Sequence, residues 1–578
     1  MIRNKIFFTL ILLTGFVIQA QENEDGLGTE VVNVVKPYSP TISDAFKVKE
    51  TPMLHDSVTT QKKPVAYNIF SVPVASTFTP AKGEAATVEK PEPELLYDNY
   101  ATLGFGNYTT ILGELYTNFR ISRTDQAGFS FTHHSTQGDI DDVILSNNYF
   151  DTGLNGFYSS RAQDLAYEVK GGVQHQIVNW YGTNSIVNAF DPADINAIDP
   201  QQTYFGGNLS GNVAVEDNLF TGAELDLRFF SDAFSSSEFQ VVAAPEFMFP
   251  LEQFDLRIGG SIDYLSGGFE RDYFNQMALN YGYANFGLAP SLVYTDDDLS
   301  LDLGVEAVFG LDTENSSSKF YLYPKIQASY RLAEEVLIAY AGAEGGLTQN
   351  SYQSLQQGNH FVSPTLAIVP TNEQFDAFVG IKGKFTSNVG YNLRASYGQA
   401  ENYAFYQINP YKGRLPELQG YEYGNSFNVI YDDLNTLEVF SELKIEVAQG
   451  FSLAINGSLY SYNTDQAEAW NLPSFKASLL SDFDITEQWY GGVAMFYVGE
   501  RKDLLGNTQI GVAQDPFNTV VSLDAYLDAN AHVGYRVNPR LSVFLKGSNL
   551  LSDNYQKWLL FPVQGIQGLL GATYKFDW

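Results

Sequence analysis

The strongest constraint on this chain is a period of two that persists much longer than a soluble strand needs. In "LDAYLDANAHVGYRV", residues 523–537, one face reads Leu523, Ala525, Leu527, Ala529, Ala531, Val533, Tyr535 and Val537. The other reads Asp524, Tyr526, Asp528, Asn530, His532, Gly534 and Arg536. Successive strand side chains point to opposite sides, so this run has one mostly apolar and one mostly polar face, which no amphipathic helix gives. "LSLDLGVEAVFGL" repeats the pattern with Leu299, Leu301, Leu303, Val305, Ala307, Phe309 and Leu311 on one side, and "FDLRIGGSIDY" and "AELDLRF" behave likewise. Strands of globular proteins average about 5–6 residues, and these runs are about twice that.

The links between runs carry the topology. Ten tight polar links are centred near Thr124, Ala162, Asp217, Glu252, Asp297, Glu334, Ser387, Gln449, Glu487 and Pro539. Eleven links of mixed length alternate with them, the longest near 179–202, 268–280, 348–373, 402–424 and 501–520. Ten turns and eleven loops predict 22 strands, with both ends of the strand region on the tight-turn side. The number depends on reading "NSFNVIYDDLNTLEVFSELKIEV" as one strand, which leaves a range of about 20 to 24. Long alternating strands with short turns on one side and longer loops on the other predict an all-β, transmembrane antiparallel β-barrel over residues 96–578. A soluble propeller or string of sandwiches would need shorter strands or a blade repeat, and neither is evident.

Composition fits this reading. The 578 residues include 42 Phe, 37 Tyr and 49 Gly but no Cys, which excludes disulfides, thiolate metal sites and a lipid-modified N-terminal cysteine. A formal charge of −34 excludes nucleic acid as a partner, since that needs basic surface. Residues 1–20 read as a secretory signal peptide: Arg3 and Lys5, an apolar run over 6–18, and Ala20 before the expected cut. That run is too short to cross a bilayer, which needs about 20 apolar residues. Residues 21–95 hold 8 of the 22 prolines, a spacing that breaks helices and central strands, so an extended N-terminal segment is expected there. The chain ends "GATYKFDW"; Tyr574, Phe576 and Trp578 share one strand face, expected on the lipid side of the closing strand. That aromatic end is similar to the C-terminal signal read by barrel-assembly machinery.

The stretch "DAYLDANAHVGYRVNPRLSVFLKGSNLLSDNYQKWLLFPVQGIQGLLGATYKF" resembles the end of a TonB-dependent receptor, in its "GSNLLSDNYQKW" strand-to-loop element and its final "GATYKF" strand. "YPKIQASYRL" and "FVGIKGKFTSNVGYNLRASYG" are similar in style to interior barrel strands of that family. The resemblance covers the barrel and implies an outer-membrane location, with energised import of a scarce ligand such as a siderophore, cobalamin or glycan. Implied partners are outer-membrane lipid, the assembly machinery, and TonB or another periplasmic protein. The chain departs from the family before Leu96, where a plug of well over a hundred residues belongs and a Pro-rich segment stands instead. "TEVVNVV" is similar to the short box that pairs with TonB, which would make Val31, Val32, Val34 and Val35 the pairing strand; a plain strand in a periplasmic tether is the competing reading. A plugless 22-strand lumen would leak. Its filler is expected to be the N-terminal segment, inward-folded loops, or a partner.

No nucleophile motif marks an enzyme. His133 and His134 fall on opposite faces of one strand and cannot form a pair. The acidic loop "DPADINAIDP" (Asp191, Asp194, Asp199) lacks the spacing of a calcium loop and reads as solvated. No catalytic, cofactor or metal residue is expected. In "NWYGTNSIVNAF" and "AENYAFYQINPYKGRLPELQGYEYGN", aromatic residues mix with amides, making Trp180, Tyr181, Tyr403, Phe405 and Tyr411 candidates to face a ligand, or else anchors at the membrane edge. Two functions stand: ligand import, or a plugless barrel serving as a passive pore or as a subunit docking a periplasmic partner.

Overall fold

The computed structural model describes residues 97–577, apart from 184–189, 276, 414–417, 449, 507–517 and 553. The signal peptide, the segment 21–95 with its four valines, and Trp578 therefore lie outside the described residues.

The chain forms one 22-stranded antiparallel sheet, and it closes. Its first strand, Asn99–Gly106, pairs with its last, Gln567–Phe576, from Asn99 opposite Phe576 to Gly106 opposite Leu569. Closure leaves no edge of unpaired backbone, the condition for a sheet in lipid. Ten links of two to four residues fall at the ten expected places. Asp217 and Glu334 carry φ of 52° and 41° in two of them, and Gly450 takes φ 87° in a third. The longer links all emerge at the opposite end, called here the loop end. The residues 427–448 form the single long strand that the parity required.

The outer face is apolar all round. Leu103, Phe105, Leu154, Phe229, Leu303, Phe320, Leu322, Val379 and Leu459 are all exposed there. Leu570 and Tyr574 continue this band on the last strand, and Tyr574 stacks on Phe576 at 6.1 Å. The inner face is polar and charged, as in the pairs Arg257–Asp302 at 2.7 Å and Arg394–Asp376 at 2.6 Å. His133 and His134 do part: His133 lies beside Thr152 and Ser135, whereas His134 lies beside Tyr149.

Two expectations need correction. The run 523–537 is not one strand, because the barrel strand is Tyr526–Arg536. Leu523 instead ends a separate hairpin, Arg501–Gly506 with Asn518–Leu523, and is buried in a core above the barrel. The loop placed at 402–424 starts later, since Val389–Ile408 is one strand. Its register shifts between Ala400 and Tyr403, and Asn402 takes φ 54°. This bulge breaks the period of two and imitates a strand end, though pairing resumes with Tyr403 opposite Asp432.

Candidate functional site: a capped lumen

At the loop end the long links pack on one another instead of standing free. The segment 349–370 enters the barrel mouth as a strap carrying the helix Tyr352–Gly358. Ser351 caps that helix, accepting from the Ser354 backbone N–H, while the Ser354 hydroxyl accepts from the Ser351 N–H. Tyr352 is fully buried among Tyr204, Phe230 and Phe269 from three barrel strands, at ring distances of 6.2, 5.2 and 4.9 Å. Leu355, Val362, Leu366 and Ile368 extend this core to Phe427, Val429, Leu559 and Phe561. Each large side chain buried this way contributes about 1.5–3 kcal/mol, so the cap is a packed body.

Two carboxylates hold the strap. Glu238 accepts from the backbone N–H of Tyr352 (2.5 Å) and of Gln353 (3.2 Å) and from the Tyr281 hydroxyl (2.8 Å). Asp232 accepts from the Tyr352 hydroxyl (2.7 Å), Gln202 Nε2 (3.1 Å) and the backbone N–H of Phe234 and Ser236. A negative charge against free N–H groups at a helix start is favourable.

The five loop aromatics named from sequence are brought into this cap. Trp180 is 0% exposed, donates through Nε1 to the Phe361 and Val362 carbonyls, and lies between Phe234 and Tyr421. Tyr181 packs between Phe361 and Phe561 and donates to the Pro562 carbonyl at 2.9 Å. Tyr411 is buried beside Tyr423 and Phe190. Past the bulge, the hairpin of 403–408 and 427–432 has the strap core on one side and Trp470 on the other. Phe405, with Tyr403 at its edge, faces Trp470 and Leu434. In this closed arrangement these rings hold loops together.

Charge is also buried here. Lys412 Nζ lies 2.6 Å from Glu422 Oε1, with side chains 3% and 2% exposed. Arg271 approaches Glu422 at 4.0 Å and donates through Nε to the Tyr421 hydroxyl at 3.0 Å, while Lys412 lies over the Tyr273 ring. This cluster ties the links 270–278 and 409–426. On the far side, Arg501 donates to the Gln556 and Lys557 carbonyls, fixing the hairpin to the link 549–566. Sequence reasoning missed Lys412 and Glu422, since a lone charge in a loop is usually solvated, and Asp232 and Glu238, since a carboxylate on a barrel strand reads as facing a wet lumen. The one local signal was Ser351 three residues before Ser354, a weak form of the capping box.

Asp503 in the hairpin gives a pH handle. Its carboxylate accepts from Asn471 Nδ2 at 3.0 Å and from the Leu504 N–H at 2.7 Å, and burial pushes its pKa up to about 6 despite nearby Arg501. A raised acid holds its proton more tightly when the hairpin is docked. Docking is therefore strongest below the ordinary carboxylate range near pH 4 and weakens as pH rises through about 6. At pH 7 the ionised group works against docking by roughly 3 kcal/mol. Asp503→Asn is expected to raise amide-exchange protection of 501–506 and 518–523 at pH 7 and to leave it unchanged below about pH 4. Equal protection in both proteins at pH 7 would refute this.

Below the cap the inner wall is open and recessed. One recess of about 950 Å³ is lined by Arg257, Asp302, Tyr340, Phe378 and Arg394. Others, of about 430 and 260 Å³, lie on the strands between residues 111 and 215.

Neither a family model nor a curated protein sequence matches this chain. Solved structures do. FpvA of Pseudomonas aeruginosa, determined bound to heterologous pyoverdines, matches with a TM-score of 0.61 at 12% identity, over 83% of this chain and 72% of that one. The ferric-catecholate import receptor Fiu of Escherichia coli K12 gives 0.58 at 12% identity, over 84% and 82%. The iron transporter FrpB of Neisseria meningitidis gives 0.62 at 10%, over 84% and 82%. The architecture of this chain is the 22-stranded barrel of the TonB-dependent receptors.

Proposed function

We propose that the protein is a gated outer-membrane receptor that takes up a ligand, with its loop end facing the exterior and its turns and both termini facing the periplasm. Short periplasmic turns and longer outer loops are the habit of such barrels. The observation that carries the reading is the cap: the strap core and its two carboxylates pack the mouth shut above a recessed lumen. A passive pore has no use for that closure. Similar structures named as a ferripyoverdine receptor, a ferric-catecholate import receptor and a copper transporter support import.

The test is single-channel conductance of the full chain in planar bilayers, compared with the chain lacking residues 21–95. Closure of both is expected, because the cap alone suffices. A large open pore in the full chain would overturn gating and favour passive diffusion. Energy input is assigned to "TEVVNVV", through strand addition by TonB. Replacing Val31, Val32, Val34 and Val35 with Pro is expected to abolish energised uptake while leaving barrel assembly intact. Uptake insensitive to those changes would leave a passive pore or a docking subunit.

A further inference from the structure

The inner wall is not uniform. On the strands from 255 to 444 its charged side chains form ion pairs, such as Arg257–Asp302, Lys325–Glu306, Arg394–Asp376 and Lys444–Glu442. On the strands Tyr149–Arg161, Leu165–Asn179 and Gln201–Val215 it carries instead a checkerboard of amides and glycines. One row reads Gly153, Gln174, Gly206 across the three strands; the next reads Asn155, Gly172, Asn208. Glycine weakens a strand interior and marks places where a ligand or another backbone comes close.

Here Gly153 and Gly206 line a recess together with Asn155 and Asn208, whose amides lean into the space over Gly172. A Cβ on Gly172 would lie 2.1 Å from Asn155 Oδ1 and 2.8 Å from Asn208 Oδ1, and one on Gly153 would lie 2.9 Å from Thr132 Oγ1. Gln353 of the strap helix roofs the recess, its Nε2 being 3.7 Å from the same point on Gly206. Asn155 and Asn208 also line the adjoining space of about 430 Å³, whose wall includes Tyr116 and Phe157, near-parallel rings 6.5 Å apart. Small-molecule sites occupy about 300–1,000 Å³. Among the described residues, the side chains of Thr132, Asn155, Asn208 and Gln353 make no hydrogen bond to the protein, and Asn118 Oδ1 is buried here without a partner. The charges near the recess are Asp151, which accepts from Gln174 at 2.9 Å, the self-paired Glu168 and Lys170, and, on the flanking strands, Arg228 opposite Asn208 and Glu114 opposite Thr132.

We propose that this recess binds a neutral, hydroxyl-rich ligand: a short oligosaccharide. The proposal rests on the receptor reading above and names the ligand class for it. A carboxamide donates and accepts at once, as a sugar hydroxyl does, so unengaged amides around a hollow match a polyol without leaving charge unpaired. The rings of Tyr116 and Phe157 supply apolar surface for the C–H faces of a sugar. Against an anionic metal chelate stand three carboxylates near the recess, Asp151, Glu168 and Glu114, against two cations, Lys170 and Arg228. Because Gln353 belongs to the strap, a sugar held here also touches the part of the cap that must move for the mouth to open.

The test uses the purified full chain in detergent, with maltotriose, cellotriose and mannotriose as probes and citrate as the charged comparison, read by calorimetry and saturation-transfer NMR. At least one trisaccharide is expected to bind and citrate not to. Asn155→Ala with Asn208→Ala should weaken that binding about tenfold or more, as should Gly172→Val, whose side chain takes the space the two amides lean into and pushes them out of place. Arg394→Ala, on the ion-paired wall, should leave it unchanged, and heat-modifiable gel migration confirms that each variant is folded. Binding of none of the three sugars by the folded protein, or binding that survives the Asn155/Asn208 and Gly172 changes, overturns the proposal. Conductance separates this from the receptor reading: an open pore that still binds sugar sinks gating alone, and a closed, gated barrel that binds none sinks the sugar site alone.

Discussion

Deleting the strap, residues 350–369, is expected to turn a closed barrel into a conducting one, with single-channel conductance rising about a hundred-fold or more above the intact protein. The strap supplies Tyr352, Leu355, Val362, Leu366 and Ile368 to the cap core, and it supplies both N–H groups that Glu238 holds. Without it, Phe427, Phe561 and Tyr204 face water across the mouth, Trp180 loses the Phe361 and Val362 carbonyls, and Tyr181 loses the Phe361 ring. The same measurement on a chain lacking 21–95 as well tells which element closes the pore. If strap deletion leaves the barrel closed and the double deletion opens it, closure belongs to the N-terminal segment and the cap reading is wrong. Glu238→Gln should act in the same direction by a smaller amount, since an amide in that position presents donors to donors.

The second large effect is expected at the buried ion pair. Lys412→Ala would leave Glu422 with a side chain 2% exposed, Arg271 at 4.0 Å and the Gln419 N–H at 2.9 Å. Removing one partner of a buried pair costs about 3–5 kcal/mol, which exceeds what one surface link retains by itself. The link 409–426 should then lose amide-exchange protection and become open to protease, while the 22 barrel strands keep theirs. Replacing both partners with apolar residues of similar size, Lys412→Met with Glu422→Leu, should restore most of the protection. If the single and double variants exchange alike, the pair does not hold the link.

The barrel was legible in the sequence because lipid and water impose opposite demands on alternate residues. Leu303, Val305 and Phe309 could only face outward once Asp302 and Glu306 were placed inside. The tight turns were legible because short polar links have few ways to join antiparallel strands. The cap was not legible, for a physical reason: the partner of a loop aromatic is another loop, fixed by three-dimensional register and not by any local period. Trp180 next to Asn179 reads as a ligand platform or a membrane anchor, until Phe361 and Tyr421 are known to surround it. The bulge near Asn402 hid the true reach of its strand by resetting the alternation. The glycines of the checkerboard were visible but ambiguous. A glycine in a strand can mark a bend, a bulge or a contact, and only the register across three strands shows Gly153 and Gly206 flanking Gln174 and Gly172 lying between Asn155 and Asn208.

The contact between Tyr181 and the end of the chain carries a consequence for biogenesis. Tyr181 donates to Pro562, 381 residues later, and its ring rests on Phe561. Contacts separated this widely form late, since the loop they close is costly in entropy. A barrel stalled before its last strand therefore has no Phe561 in place, and the strap core lacks one of its walls. Maturation of the mouth follows completion of the wall, so tightness to ions can serve as a clock for insertion: an assembly defect anywhere in the final hairpin should appear as a leak before it appears as a missing protein.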